Sequence, residues 1–149
     1  MANFLNADLV VKELSARCQL AWTLTNSDIY DYQPLEIATA DHVVIIAQGA
    51  TYGDGGAQCK SYQQQFSVAA QFAYPASQTA TEFRTAKANS FLTQIYKARH
   101  FMDGSTPLGG RFNVTDVAFD DIGEDHARML EIRFSFFIET LNVPVPVTP

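Results

Sequence analysis

Charge is scarce in this sequence. Only 17% of its 149 residues are Asp, Glu, Lys or Arg, against roughly 25% in ordinary soluble domains, so much of the surface must be built from Gln, Asn, Ser and Thr. Basic charge is scarcer still. Ten Lys and Arg stand against sixteen Asp and Glu, for a net charge of −6, and no block of Lys or Arg occurs. That balance excludes a groove made to hold nucleic-acid phosphates and a face made for an anionic membrane. Cysteine is nearly absent: Cys18 and Cys59 are too few for a disulfide framework or a cysteine-based zinc site. The longest aliphatic run, "VVIIA", falls far short of a membrane span. The opening "MANFLNADLVVKELSARCQLAW" has no basic leader and spaces its apolar residues, so it does not read as a signal peptide. These absences imply a soluble protein made in a reducing compartment, where the sequon-like Asn113-Val114-Thr115 carries no meaning.

The motifs that remain fail on inspection. "YGDGGAQCKS", Tyr52 to Ser61, has the texture of a phosphate-binding loop. Aligned on Lys60 and Ser61, however, it puts Asp54 and Cys59 where the two diagnostic glycines belong. The acidic run Asp120 to Asp125 would put Ala118, Ile122 and Met129 at oxygen-ligand positions of a calcium loop. His42, His100 and His126 have no metal-ligand spacing, and His100 reads as a cation near a helix C-terminus. Ser27, Ser61 and Ser105 sit in no nucleophile elbow. Cys59, beside Lys60, reads as an exposed spectator thiol. No enzyme activity, cofactor or metal is expected.

What is present is periodicity. Ala7, Val10, Val11, Leu14, Cys18, Ala21 and Trp22 follow one helical face, predicting a helix over 6–22 braced by the pairs Asp8–Lys12 and Glu13–Arg17. A long excursion, "TNSDIYDYQPLEIATAD", follows. "HVVIIAQGA" reads as a buried strand, and "SYQQQFSVAAQFAY" alternates strictly, so the glycine stretch between them becomes a hairpin tip. Thr79 and Glu82 form a capping box for a second helix over 80–102, on whose face Phe83, Lys87, Phe91, Ile95, Ala98 and Met102 recur. A second hairpin turns around Gly123-Glu124-Asp125. On its last strand Leu130, Ile132, Phe134, Phe136 and Ile138 share one face.

The expected fold is therefore α+β in the order α-β-β-α-β-β: an antiparallel-rich four-stranded sheet with two helices on one face and long protruding hairpins. Residues 1–141 form one domain, and the Pro-rich 142–149 an extended arm. A last strand over 127–140 would run about 46 Å, against a domain diameter of about 38 Å, so the hairpins should overrun the domain's edge. Gln63, Gln65, Gln71, Glu131, Arg133, Phe137 and Glu139 fall on the sheet face away from the helices. That face is either solvated or the surface of an oligomer or its lumen.

In "ADLVVKELSARCQLAW", "HVVIIAQGATYGDGGAQCKSYQQQFSVAAQF" and "ARMLEIRFSFFIETL" the chain resembles the tail-terminator, or tail-completion, proteins of long-tailed bacteriophages. The likeness lies in element order, size and texture over about residues 4–141. It implies a structural virion protein of the neck: a hexameric ring that caps the tail tube, stops its polymerisation and joins it to the head. Tube and connector proteins would be its partners, DNA would pass through its lumen without specific binding, and Tyr52, Asp54 and Lys60 in the glycine loop would touch neighbouring rings. Another neck or tail-tube component is a close alternative. From a different class, the same elements could make an α+β cone holding a small apolar ligand between sheet and long helix. The inward strand residues Phe66, Val68, Ala70 and Phe72, with Leu130, Ile132, Phe134, Phe136 and Ile138, would give such a pocket no titratable group for catalysis.

Overall fold

The computed structural model describes residues 7–34, 41–56, 59–73, 78–97, 100–103, 106–121 and 129–144. Helix α1 spans Ala7–Trp22 and buries Val10, Leu14, Cys18 and Trp22, one residue per turn. Helix α2 spans Ala80–Lys97 and buries Phe83, Ala88, Phe91 and Ile95. It starts where expected, with the Glu82 backbone N–H donating to Thr79 Oγ1 at 3.2 Å. It ends earlier than expected. The sequence reading carried the helix to Met102, but His100–Asp103 is strand β4, paired with the beginning of strand β5 (Thr106–Asp121) as His100↔Arg111, Met102↔Pro107 and Asp103↔Thr106. A local ladder satisfies the backbone that a further helical turn would have used. The last turn of α2 is also closed from outside: Arg17 Nη1 donates to the Gln94 carbonyl at 2.6 Å while its Nε holds Glu13 at 3.0 Å. His100 thus begins a strand and does not complement a helix dipole.

The sheet has six strands where four were expected. The additional two are short: β4, and β1 (Ile29–Tyr30), which lies parallel to β2 inside the excursion. Around them the expected four long strands, β2 (His42–Gly56), β3 (Cys59–Ala73), β5 and β6 (Met129–Pro144), are each antiparallel to their long neighbours, and the spatial order is β1-β2-β3-β6-β5-β4. The sheet is mixed, because β1 is parallel to its neighbour. Strand β6 runs on to Pro144, pairing Val143 with Lys60 and Pro144 with Cys59. It therefore reaches three residues past the expected end of the domain and into the Pro-rich tail. The turn at 123–125 lies outside the described residues.

Both helices pack on one sheet face, as the alternation required. Phe66, Val68, Ala70 and Phe72 of β3 and Leu130, Ile132, Phe134, Phe136 and Ile138 of β6 are buried against them. Trp22 is the hub of this layer. Its ring stacks on Phe91 (centroids 5.0 Å), meets Phe72 edge-on (5.2 Å), and its Nε1 donates to the Lys87 carbonyl at 2.8 Å. Phe91 in turn lies 4.6 Å from Phe134. Each such ring contributes about 1.5–3 kcal/mol of burial plus about 0.5–1.5 kcal/mol for the aromatic pairing.

Two backbone positions shape the edges. Strand β2 bulges between Ala47 and Gly49, where Gly49 takes φ +112°, a region that glycine enters freely and other residues do not. At the end of α1, Thr23 stands at φ 56°, the left-handed conformation that usually falls to glycine after a helix.

Candidate functional site

The outer face of the sheet, opposite the helices, is an extended surface that mixes uncharged polar and charged side chains. Strand register arranges it in cross-strand rows. Gln65, Phe137 and Asn113 form one row; Ser67, Ser135 and Asp116 the next; then Ala69, Arg133 and Ala118; then Gln71, Glu131 and Asp120. The alternation of β3 and β6 therefore brings Gln65, Gln71, Glu131, Arg133 and Phe137 together as expected, with Gln63 beyond them. Glu139 pairs with Gln63 through its backbone, and its side chain lies outside the described residues.

This face has one fixed polar knot. Glu131 is only 8% exposed, and both its oxygens are engaged: Oε2 accepts from Gln71 Nε2 at 2.9 Å and Oε1 from Arg133 Nη2 at 2.7 Å. The carboxylate's cost of burial is offset by two charge-stabilising donors. A carboxylate so occupied holds strands together and is not poised as a general base. Arg133 keeps 53% of its side chain exposed.

The sequence reading missed the apolar flank of this face. Val44 and His42, which pair with Ala69 and Gln71, are buried, and Tyr30 of β1 lies against them, 6.4 Å from the His42 ring and 5.8 Å from Tyr32. The signal was the pair Tyr30 and Tyr32, large aromatics in a stretch read as an excursion.

Tyr52, Asp54 and Lys60, expected in a loop, are instead on the ladder: Tyr52 pairs with Tyr62 and Asp54 with Lys60. The phosphate-loop reading fails for this reason as well. Its backbone would have to curl around an anion, and here residues 52–56 and 59–62 are committed to two extended strands. Residues 57 and 58 at the tip, Ser105 and His126 lie outside the described residues, as do the side chains of Cys59 and Ser61. Ser27 is exposed beside Thr25, its Oγ 2.8 Å from the threonine hydroxyl.

The space between α2 and the sheet, where an apolar ligand was envisaged, is filled by the rings of Phe72, Phe83, Phe91 and Phe134. An open groove of about 490 Å³ lies elsewhere, between α1 and β1, lined by Asp8, Lys12, Ser15, Gln19, Asn26 and Tyr30 over a floor of Val11, Ile29 and Ile45. Cys18 is fully buried, and burial pushes its thiol pKa well above the usual range, which makes it inert. Among the described residues no three His, Cys, Asp or Glu side chains gather as a metal site, and no helix is long and apolar enough to cross a membrane.

The fold is similar to that of a chain in the solved structure of the virion of a native gene transfer agent (GTA) particle. The TM-score is 0.61 at 13% sequence identity, and the likeness covers 94% of this chain and 100% of that one. At that identity the likeness is one of fold. No family model and no curated protein matches the sequence.

Proposed function

We propose that this chain is a structural protein of a phage-like virion, a tail terminator that forms a hexameric ring on the end of the tail tube, stops its growth and offers a joining surface to the neck. The observation that carries this reading is the end-to-end likeness of fold to a chain of a GTA virion. The molecule's own features support it. Four strands of 15 or 16 residues extend the sheet to about 50 Å, the outer face sets Gln, Asn and Ser beside Asp116, Asp120, Glu131 and Arg133, and the net charge of −6 would let packaged DNA slide past without adhering. In this reading Gln63, Gln65, Gln71, Glu131, Arg133, Phe137 and Glu139 belong to an oligomer or lumen surface. Tyr52, Asp54 and Lys60, near the far end of the β2–β3 hairpin, reach neighbouring rings. In this reading the domain runs to the end of β6 at Pro144 and the Pro-rich end beyond it acts as an arm.

The experiment is arrest of assembly. Added to polymerising tail-tube protein, this chain should shorten the tubes in proportion to its concentration, and micrographs should show density on one end only. Incorporation along the whole tube would make it a tube component, and tubes unchanged in length would reject the terminator role.

A further inference from the structure

We infer that the Pro-rich end of one copy docks in the groove between α1 and β1 of another, so that the chain carries both halves of a contact between copies. This goes beyond the terminator reading and does not depend on it.

Two features of the chain fit each other. The first is the sequence that follows β6, which ends at Pro144: Val145-Pro146-Val147-Thr148-Pro149, whose last four residues read P-x-x-P. Proline fixes its own φ near −65° and turns the residue before it, here Val145 and Thr148, to extended backbone, so the composition favours a polyproline II helix. In that helix Pro146 and Pro149 stand one turn apart on the same edge. The stretch has no charged side chain, and a polyproline II backbone makes no hydrogen bonds of its own, so its carbonyls need donors from elsewhere.

The second feature is the groove of about 490 Å³, which is in the size range of ligand pockets. Val11 and Ile45 give it an apolar floor and Tyr30 an aromatic wall. Tyr32 is 59% exposed and sets its ring edge-on to Tyr30 with centroids 5.8 Å apart. Aromatic-lined grooves are the recurring surface on which P-x-x-P segments dock, because the helix is preformed and loses little entropy there. Donors stand at the rim. Gln19 Nε2 donates to Asn26 Oδ1 at 2.6 Å, which leaves the Asn26 amide nitrogen, with the Tyr30 hydroxyl, to serve carbonyls of the docked segment.

Reach decides whose groove is filled. Pro144 pairs with Cys59 at one end of β3, and Ile45 pairs with Val68 further along the same strand. Cys59 to Val68 is about 30 Å of strand, whereas residues 145–149 cover about 15 Å as polyproline II. The segment therefore falls short of its own groove and meets one only on another copy. Each copy gives one segment and one groove, so the contact is heterologous.

Cross-linking between distinguishable copies tests this. Full-length chain carrying Val147→benzoylphenylalanine is mixed with an excess of unmodified, isotopically heavy chain and photolysed. The adducts should join position 147 of the light copy to residues 7–32 of the heavy one. Affinity supplies the second readout. Pro146→Asp/Pro149→Asp removes the prolines and sets carboxylates against Asp8 and Asp31 of the groove, which leaves that variant's own groove open to added ligand. A synthetic peptide of residues 142–149 should bind it. Adding Tyr32→Ser should weaken that binding roughly tenfold and keep the melting temperature, because Tyr32 is exposed. Adducts that miss residues 7–32 of the heavy copy, no binding of the peptide, or equal affinity with and without Tyr32 would each overturn the inference while leaving tube capping untouched. The expected adducts and affinities in a chain that never shortens tubes would uphold it and remove the terminator reading.

Discussion

Phe136 and Phe137 are neighbours in the chain that meet opposite environments, and that difference is measurable. Phe136 is 2% exposed and stacks on Phe66 with centroids 6.2 Å apart. Truncating such a ring to alanine costs about 3–5 kcal/mol, a large part of the stability of a domain this size. Phe137 is half-buried on the outer face between Gln65 and Asn113. Phe136→Ala should lower the urea midpoint sharply and Phe137→Ser only slightly; equal losses would mean that both faces are closed within one subunit. Cys18 gives a second residue-scale test. Its buried thiol stays protonated in the folded state, whereas in the unfolded chain it ionises near the ordinary value of about 8.5. Above that pH the unfolded state holds fewer protons than the folded one, so stability must fall as pH rises, by up to about 1.4 kcal/mol per unit from this group. Cys18→Ala should remove that part of the slope. Parallel urea melts at neutral and alkaline pH compare the two, and identical slopes would refute the assignment.

At the scale of elements, Thr23 is the strained joint. A β-branched residue at φ 56° after the last turn of α1 pays for a conformation that glycine enters freely. Thr23 is exposed, so little packing is lost on replacing it, and Thr23→Gly should stabilise the protein by about 0.5–1 kcal/mol; a lower melting temperature would show that the threonine side chain is needed there. The long elements were legible because each carries one clean period. Helix α1 came within a residue of its bounds, and the faces of β3 and β6 were readable from alternation alone. The elements that were missed have no period of their own. Ile29 and Tyr30 are a strand only because Val43 and Val44 lie beside them, and His100–Asp103 continues a helical pattern in sequence yet pairs with residues 106–111 in space. The outer-face cluster was legible from strand parity. Its engaged core, Glu131 between Gln71 and Arg133, was not, because that requires knowing that β3 and β6 are neighbours 60 residues apart in the chain. The glycine stretch misled on shape: glycines suggested a loop, and the ladder ran through them to Gly56.

At the scale of the whole molecule, the described residues form two layers, helices on one side and a long sheet face on the other. Its dense core accounts for the stability of one copy, and under the proposed function its outer face meets other copies. That is the physical content of reading it as part of a virion. The claim is tested most directly by quantitative mass spectrometry of purified particles from cells that make this protein. The account expects the chain in intact particles at a fixed count equal to one ring per tail, far below the tube protein and unchanged by further purification. Its absence from particles, or a count that tracks contamination from the lysate, would contradict the account.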